Sequence, residues 1–129
     1  MTAGRKPERV RSYRDLVVWQ RAMTLCAATY RATDSFPPAE RFGLVSQMRR
    51  AAVSIPSNIA EGHGRLTTKE YRHFLGIARG SLKELETQML IALELGYSSE
   101  SAVDSWSRIA DEVSRMLTTL IATLRDCAA

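Results

Sequence analysis

An apolar stripe of helical period runs through a proline in this chain, and it limits the folds that the sequence can adopt. The stripe consists of apolar residues at steps of three or four: Leu44, Met48, Ala52, Ile55 and Ile59. Because it keeps its phase across Pro56, we predict that one helix continues past the proline. Pro56 has no N–H for the Ala52 carbonyl, and its ring crowds the preceding turn, which costs about 3 kcal/mol in a plain helix interior. We therefore predict a kink at Pro56, with local compensation.

The polar residues around the proline are the candidates for that compensation. Ser54, Ser57 and Asn58 have side chains able to bond the freed carbonyl or to bridge the kink. Asn58 and Glu61 lie near the direction of the apolar stripe, so we expect both to reach inward or across an interface. We interpret this set as a structural polar joint rather than a ligand site: Ser54, Pro56, Ser57, Asn58 and Glu61.

Three further amphipathic segments accompany the proline-containing one. The first helix is predicted over residues 15–33, with Trp19, Met23, Cys26 and Tyr30 on its inward face. Pro37 and Pro38 end it, and the second helix is predicted over 39–62.

A capping box from Thr67 to Glu70 predicts the start of a third helix, over 68–95, and a seam of apolar residues predicts a fourth over 99–125. The sequence thus predicts an all-α protein, an up-and-down antiparallel four-helix bundle over residues 15–126, behind a basic flexible tail at 1–14. More apolar residues occur than one face per helix requires. Broad packing within a monomer and a self-association surface both explain them.

Composition limits the cellular setting that we expect. A chain of 129 residues with 45% hydrophobic content suits one domain. Cys26 and Cys127 have no metal-ligand spacing, and no apolar run resembles a signal peptide or a membrane span. We expect a cytoplasmic protein with reduced thiols, without metal or cofactor and without membrane association.

The net charge of +4 is unevenly distributed along the chain. Five basic residues and one acidic residue give positions 1–14 a charge of +4, and residues 41–79 carry +5. Residues 80–129 carry −4. We expect the folded bundle to be electrically polarised, which favours an anionic partner for its positive part.

Catalytic motifs are not found. His63 lies in a glycine loop and His73 lies ten residues later, and neither belongs to an HExxH arrangement. The one ExxH spacing, Glu70 to His73, offers only two ligands and has no second copy to complete a metal site. There is no GxSxG elbow, and Gly62-His63-Gly64 lacks the GxGxxG spacing and the preceding strand of a nucleotide loop. We therefore expect no enzyme.

Basic residues on two neighbouring helices form the more informative pattern. Arginine binds phosphate oxygens in bidentate geometry and displaces condensed counterions. The residues predicted to contact nucleic-acid phosphates are Arg49, Arg50, Arg65, Lys69, Arg72 and Arg79. A solvated charged face with internal ion pairs explains the same pattern equally well.

The string IPSNIAEG at residues 55–62 resembles a known family, the 23S ribosomal RNA intervening-sequence proteins. The resemblance extends over about residues 13–125, from YRDLVVWQRAM through FPPAERFGLVSQMRRAAVSIPSNIAEG to EYRHFLGIARGSLKELETQMLIALELGY. It implies a helical bundle that assembles into a pentameric ring, with no enzymatic activity. It also implies similarity to a retroelement accessory protein that binds nucleic acid and a reverse transcriptase.

Two functional hypotheses follow from the charge pattern and the resemblance. The first is a non-enzymatic adaptor that binds nucleic acid, RNA rather than DNA, as a small homo-oligomeric ring. The alternative is a protein-interaction scaffold that recruits a protein partner, such as a reverse transcriptase, and has no nucleic-acid affinity of its own.

Overall fold

The computed structural model describes residues 11–128 and consists of four long helices, which confirms the all-α prediction. The helices are α1, Val17–Thr33; α2, Leu44–His63; α3, Thr68–Glu94; and α4, Glu100–Ala128. Short 3-10 turns at Tyr13–Asp15 and Pro38–Glu40 precede α1 and α2. Residues 1–10 of the predicted basic tail lie outside the described range.

The helices pack in a closed cycle in which α1 contacts α2 and α4, and α3 contacts α2 and α4. Side-chain hydrogen bonds between α1 and α4 give their relative direction. Arg21 bonds Glu112. Thr29, which comes after Arg21 in α1, bonds Trp106, which comes before Glu112 in α4.

Between α2 and α3, Ser54 bonds Ser81. Gly62, which comes after Ser54 in α2, lies against Phe74, which comes before Ser81 in α3. Arg72, near the start of α3, bonds Ile121, near the end of α4. Arg49, near the start of α2, bonds Thr33 at the end of α1. Neighbouring helices are therefore antiparallel, and the predicted up-and-down bundle is confirmed.

The inward face of α1 differs from the predicted one. Its buried residues are Val18, Ala22, Leu25, Thr29 and Thr33, whereas Met23 and Tyr30 are exposed and Trp19 and Cys26 are half-buried. The two buried threonines, Thr29 and Thr33, are not among the residues predicted for the inward face. Each hydroxyl donates to the carbonyl four residues earlier at 2.8 Å, so burial leaves neither hydroxyl without a partner.

The entrance to α2 also differs from the sequence prediction. The helix begins at Leu44 rather than near Ala39, because Pro38–Glu40 forms a separate 3-10 turn. Gly43 lies outside the helical region, with φ −106° and ψ −111°. Glu40 Oε1 accepts the Leu44 N–H at 3.1 Å, which caps the new helix from the preceding turn.

Helix α2 continues through Pro56, as its apolar stripe predicts. Met48, Ala52, Ile55 and Ile59 are fully buried, and they join one apolar core with residues of the other three helices. Within residues 11–128, no helix has the length and apolarity needed to cross a bilayer.

Candidate nucleic-acid interface

The six basic residues predicted to contact phosphate differ in what their side chains touch. Arg49, Arg65 and Arg72 each bond another part of the protein. Arg50, Lys69 and Arg79 are exposed, and no hydrogen bond or ion pair joins them to any residue of the described range. The structure therefore presents about half of the predicted positive charge to a ligand.

Arg49 binds the end of α1. Its Nε donates to Thr33 Oγ1 at 2.9 Å, and its Nη2 donates to the Tyr30 carbonyl at 3.2 Å. The guanidinium also lies 4.6 Å from the centre of the Tyr30 ring and 3.5 Å from an oxygen of Asp34. A cation at the carboxyl end of a helix donates hydrogen bonds to free carbonyls and interacts favourably with the negative end of the helix dipole. We conclude that Arg49 joins α1 to α2.

Arg65, between α2 and α3, and Arg72, in the first turns of α3, also contact other residues of the chain. Arg65 Nη2 lies 2.6 Å from Glu61 Oε2, and its guanidinium lies 4.6 Å from the centre of the Phe74 ring. Arg72 Nε donates to the Ile121 carbonyl at 3.4 Å. A phosphate would have to compete with these contacts for either arginine.

The polar joint predicted around Pro56 connects α2 to α3 through two serines. Asn58 Nδ2 donates to the Ser54 carbonyl at 2.8 Å and to Ser54 Oγ at 2.9 Å. Ser54 Oγ lies 2.9 Å from Ser81 Oγ. The acceptor is thus Ser54 rather than the freed carbonyl of Ala52. Asn58 comes six residues after Ala52, so it lies about 9 Å from Ala52 along the helix axis. It comes four residues after Ser54, so these two side chains lie on the same face of the helix.

The other members of the predicted joint face different surroundings. Pro56 is buried and, with the exposed Ser57, borders a groove against α1. Of the two directions expected for Glu61, inward or across an interface, the inward one is wrong, because its side chain is 52% exposed and pairs with Arg65. The spacing of four residues on one helix explains that pairing.

A groove between the end of α1 and the start of α2 brings basic and aromatic side chains together. Its volume is about 470 Å³, and its lining includes Tyr30, Arg41, Phe42, Arg49, Arg50 and Val53. Three of these residues are arginines and none is a carboxylate. We refer to it as the arginine groove.

Sequence reasoning missed two residues of the arginine groove, Arg41 and Phe42. Phe42 is 87% exposed, and the Arg41 guanidinium lies 5.4 Å from the centre of its ring. The available signal was the phase of the pattern, since Phe42 does not fall on the apolar stripe of α2. An aromatic residue outside every apolar stripe is a candidate for the surface.

Exposed apolar residues lie along α3. Leu90 is 61% exposed and Leu95, just after the helix, is 53% exposed, with Ile77 and Ile91 partly exposed. Gly76 and Gly80 leave open space where a Cβ would stand. This outer surface of α3 supplies apolar area beyond what the core of one chain uses.

The histidines occupy separate environments. The ring of His63 meets the edge of Tyr71 at 5.8 Å between centroids, and His73 meets Phe74 at 5.4 Å. Among the described residues, no group of three or more histidine, cysteine or acidic side chains is arranged to hold a metal ion. Burial raises the pKa of Cys26 and of Tyr71 above their ordinary values.

Comparisons with known proteins agree with this fold. The chain is similar to a protein of unknown function from the S23 ribosomal protein family of Bacteroides thetaiotaomicron, known from a crystal structure. The two share 19% sequence identity over 82% of this chain and 96% of the other, with a TM-score of 0.76. No curated protein matches the chain significantly. The family model of the 23S rRNA-intervening sequence proteins matches residues 14–119. The chain therefore belongs to the 23S rRNA-intervening sequence protein family.

Proposed function

We propose that this protein is a non-enzymatic adaptor that binds structured RNA through the positive surface of α2 and α3. The observation that carries the proposal is the exposure of Arg50, Lys69 and Arg79, which have no ionic partner among residues 11–128. These three residues lie within the segment of charge +5. An RNA backbone is the partner that such a surface fits electrostatically.

The mechanism is attraction to phosphate without reading of bases. Each guanidinium or ammonium group that meets a phosphate releases a condensed counterion, so affinity falls as salt rises. The arginines of the basic tail, which lies largely outside the described residues, add to this attraction in the proposal.

We further propose that the protein acts as a homo-oligomer, with a pentameric ring favoured. The apolar side chains exposed on α3 support a contact between copies, because a single chain gains nothing from exposing them. A ring would repeat the basic surface on every subunit and strengthen RNA binding through avidity.

Filter binding of an RNA hairpin at increasing salt tests the RNA proposal. We expect binding at about 50 mM salt and a steep loss of affinity as salt rises. The double variant Arg50→Glu/Arg79→Glu should weaken binding strongly. The matched control is Arg108→Glu/Arg125→Glu, which reverses two exposed charges on α4 and should leave binding nearly unchanged. Absence of binding at low salt, or equal effects of the two variants, would refute the proposal.

A protein-interaction scaffold is the second candidate, and the apolar surface of α3 is the observation that favours it. This candidate predicts little affinity for RNA alone. Replacing Arg50 by glutamate would then leave RNA retention unchanged, and a protein partner such as a reverse transcriptase would be retained only through the apolar surface of α3. Light scattering of the purified protein, with its absorbance ratio at 260 and 280 nm, measures oligomer size and bound nucleic acid together.

A further inference from the structure

We propose that the arginine groove binds an unpaired nucleotide base, which stacks on Phe42 while Arg41 and Arg50 hold the neighbouring phosphates. The inference rests on the proposed function and narrows it from RNA in general to RNA with an unpaired segment. It places the contact with a base at Phe42, in the arginine groove.

The exposure of apolar surface in the groove is the first observation. Phe42 is 87% exposed, and Tyr30 and Val53 in the same groove are each 42% exposed. Single exposed apolar residues are common on protein surfaces, but three in one concave site indicate a ligand with an apolar face. A nucleobase has such a face, and an aromatic side chain stacks on it regardless of base identity.

The charge of the groove selects among ligands with an apolar face. Three arginines line it and no carboxylate does, although Asp34 lies 3.5 Å from Arg49 outside the lining. An apolar surface of a second protein would cover these guanidiniums and remove them from water without compensation. A nucleotide supplies an anionic phosphate beside its base, so it satisfies both the ring and the arginines.

The two arginines proposed to hold phosphate are free to do so. Arg50 and Arg41 have no hydrogen bond or ion pair within residues 11–128, and Arg41 only overlies the Phe42 ring. Arg49 is committed to α1, so it gives the groove positive potential rather than a phosphate contact. The base must be unpaired, because a base within a duplex is already stacked and cannot reach the ring.

The test compares a fluorescein-labelled single-stranded oligonucleotide with a duplex of the same sequence, at fixed low salt. We expect Phe42→Ala to weaken binding of the single strand about tenfold and binding of the duplex by less than about twofold. Phe42→Trp should retain single-strand binding, since indole also stacks. Leu66→Ala is the matched control, because Leu66 is 99% exposed but lies between α2 and α3, outside the groove.

A second readout reports stacking directly. In an oligonucleotide containing 2-aminopurine, stacking on Phe42 should quench fluorescence with the wild-type protein and not with Phe42→Ala. Circular dichroism checks that the variants are folded.

The possible failures are distinguishable. If the wild type binds neither oligonucleotide, both the proposed function and this inference fail. If it binds both and Phe42→Ala behaves like the wild type, the inference fails while the proposed function stands. If Phe42→Ala lowers the molar mass in solution and leaves single-strand affinity unchanged, the groove is a contact between copies and the inference is overturned.

Discussion

The two ends of α2 carry arginines that look alike in the sequence and differ in the folded chain. At its start, Arg41 and Arg50 have no ionic partner within the described range. At its end, Arg65 pairs with Glu61 at 2.6 Å. Arg50 has no acidic residue three or four positions away, whereas Arg65 follows Glu61 by four. The comparison teaches that the charge available to a ligand depends on local helical neighbours as much as on the net charge of a segment.

The largest expected effect concerns the packing of the joint at the end of α2. A Cβ at Gly62 would lie 2.9 Å from Phe74 Cβ and 3.1 Å from the Tyr71 carbonyl oxygen. We expect Gly62→Ala to reduce the free energy of unfolding by about 1–3 kcal/mol, because α2 and α3 must move apart. Urea denaturation measures the change.

The matched control for that variant is Gly64→Ala. At Gly64 the nearest heavy atom to an added Cβ is the Glu61 carbonyl oxygen at 3.6 Å, which is ordinary contact. We expect this substitution to be neutral or to stabilise by up to about 1 kcal/mol, because alanine restricts the unfolded chain. Equal destabilisation by both variants would mean that the joint is not tightly packed at Gly62.

The second prediction separates two adjacent arginines at the start of α2. Arg49→Ala removes two hydrogen bonds to α1 and the contact with the Tyr30 ring. We expect it to reduce the free energy of unfolding by about 1–2 kcal/mol. Arg50→Ala should change the free energy of unfolding by less than about 0.5 kcal/mol, since Arg50 is exposed and makes no such bonds with residues 11–128. Thermal denaturation of the two variants at neutral pH would compare them, and similar midpoints would contradict this assignment.

The third prediction tests the comparison between the ends of α2 through RNA binding. Log affinity falls as log salt concentration rises. We expect Arg50→Ala to reduce the magnitude of this slope by about one, as loss of one phosphate contact does. Arg65→Ala should leave the slope unchanged, because Glu61 already neutralises that guanidinium. Filter binding of one RNA hairpin over a salt series measures both slopes. A larger change from Arg65→Ala would reverse our assignment of the two ends.

The smallest effect is expected from acid. The Leu44 N–H and then the Tyr97 hydroxyl bond the Glu40 carboxylate, and they lower its pKa below the ordinary value of 4.5. A carboxyl group whose pKa is lower in the folded chain than in the unfolded chain stabilises the fold at pH values above its unfolded pKa. This contribution is lost as the pH falls through the folded pKa. We therefore expect Glu40→Gln to lose less stability than the wild type between about pH 6 and about pH 3.

The control for the acid prediction is Tyr97→Phe, which removes the hydroxyl bond at 2.8 Å and leaves the cap on Leu44 intact. Its pH dependence should lie between those of the wild type and Glu40→Gln. Urea midpoints at several pH values give the three curves. Identical curves for all three proteins would show that this carboxylate does not contribute.

Periodicity predicted the helices well and their rotation less well. The stripe from Met48 to Ile59 is buried as expected, and the adjoining Val45, Ala51 and Pro56 are buried beside it. In α1, the threonines at 29 and 33 take inward positions that pattern reading gives to Met23 and Tyr30. Each of these hydroxyls donates to its own helix and accepts a bond from another one, from Trp106 or Arg49, so it can be buried, and no spacing rule reveals this in advance.

The candidate site was only partly predictable, for a related reason. The sequence indicates where positive charge is concentrated, but the partner of Arg49 lies on another helix, at the end of α1. Whether Phe42 is buried depends on the turn that separates Pro38–Glu40 from α2. The partner of Arg49 is a contact between distant segments, of which a single sequence carries no direct record, whereas the exposure of Phe42 depends on a local turn that the sequence pattern assigns to the helix.

The buried bond between Trp106 and Thr29 has a consequence for how the bundle tolerates change. Apolar contacts have no direction, so α1 could slide along α4 by one turn, about 5.4 Å, and still bury similar area. The indole N–H, by contrast, finds its acceptor at 3.0 Å in one position only. A slide that brought Leu25, one turn earlier, to the place of Thr29 would leave the indole donor without a partner in the core, at a cost of about 1–3 kcal/mol. The height of α1 beside α4 therefore depends on this buried bond and on the Arg21–Glu112 pair, in addition to apolar packing.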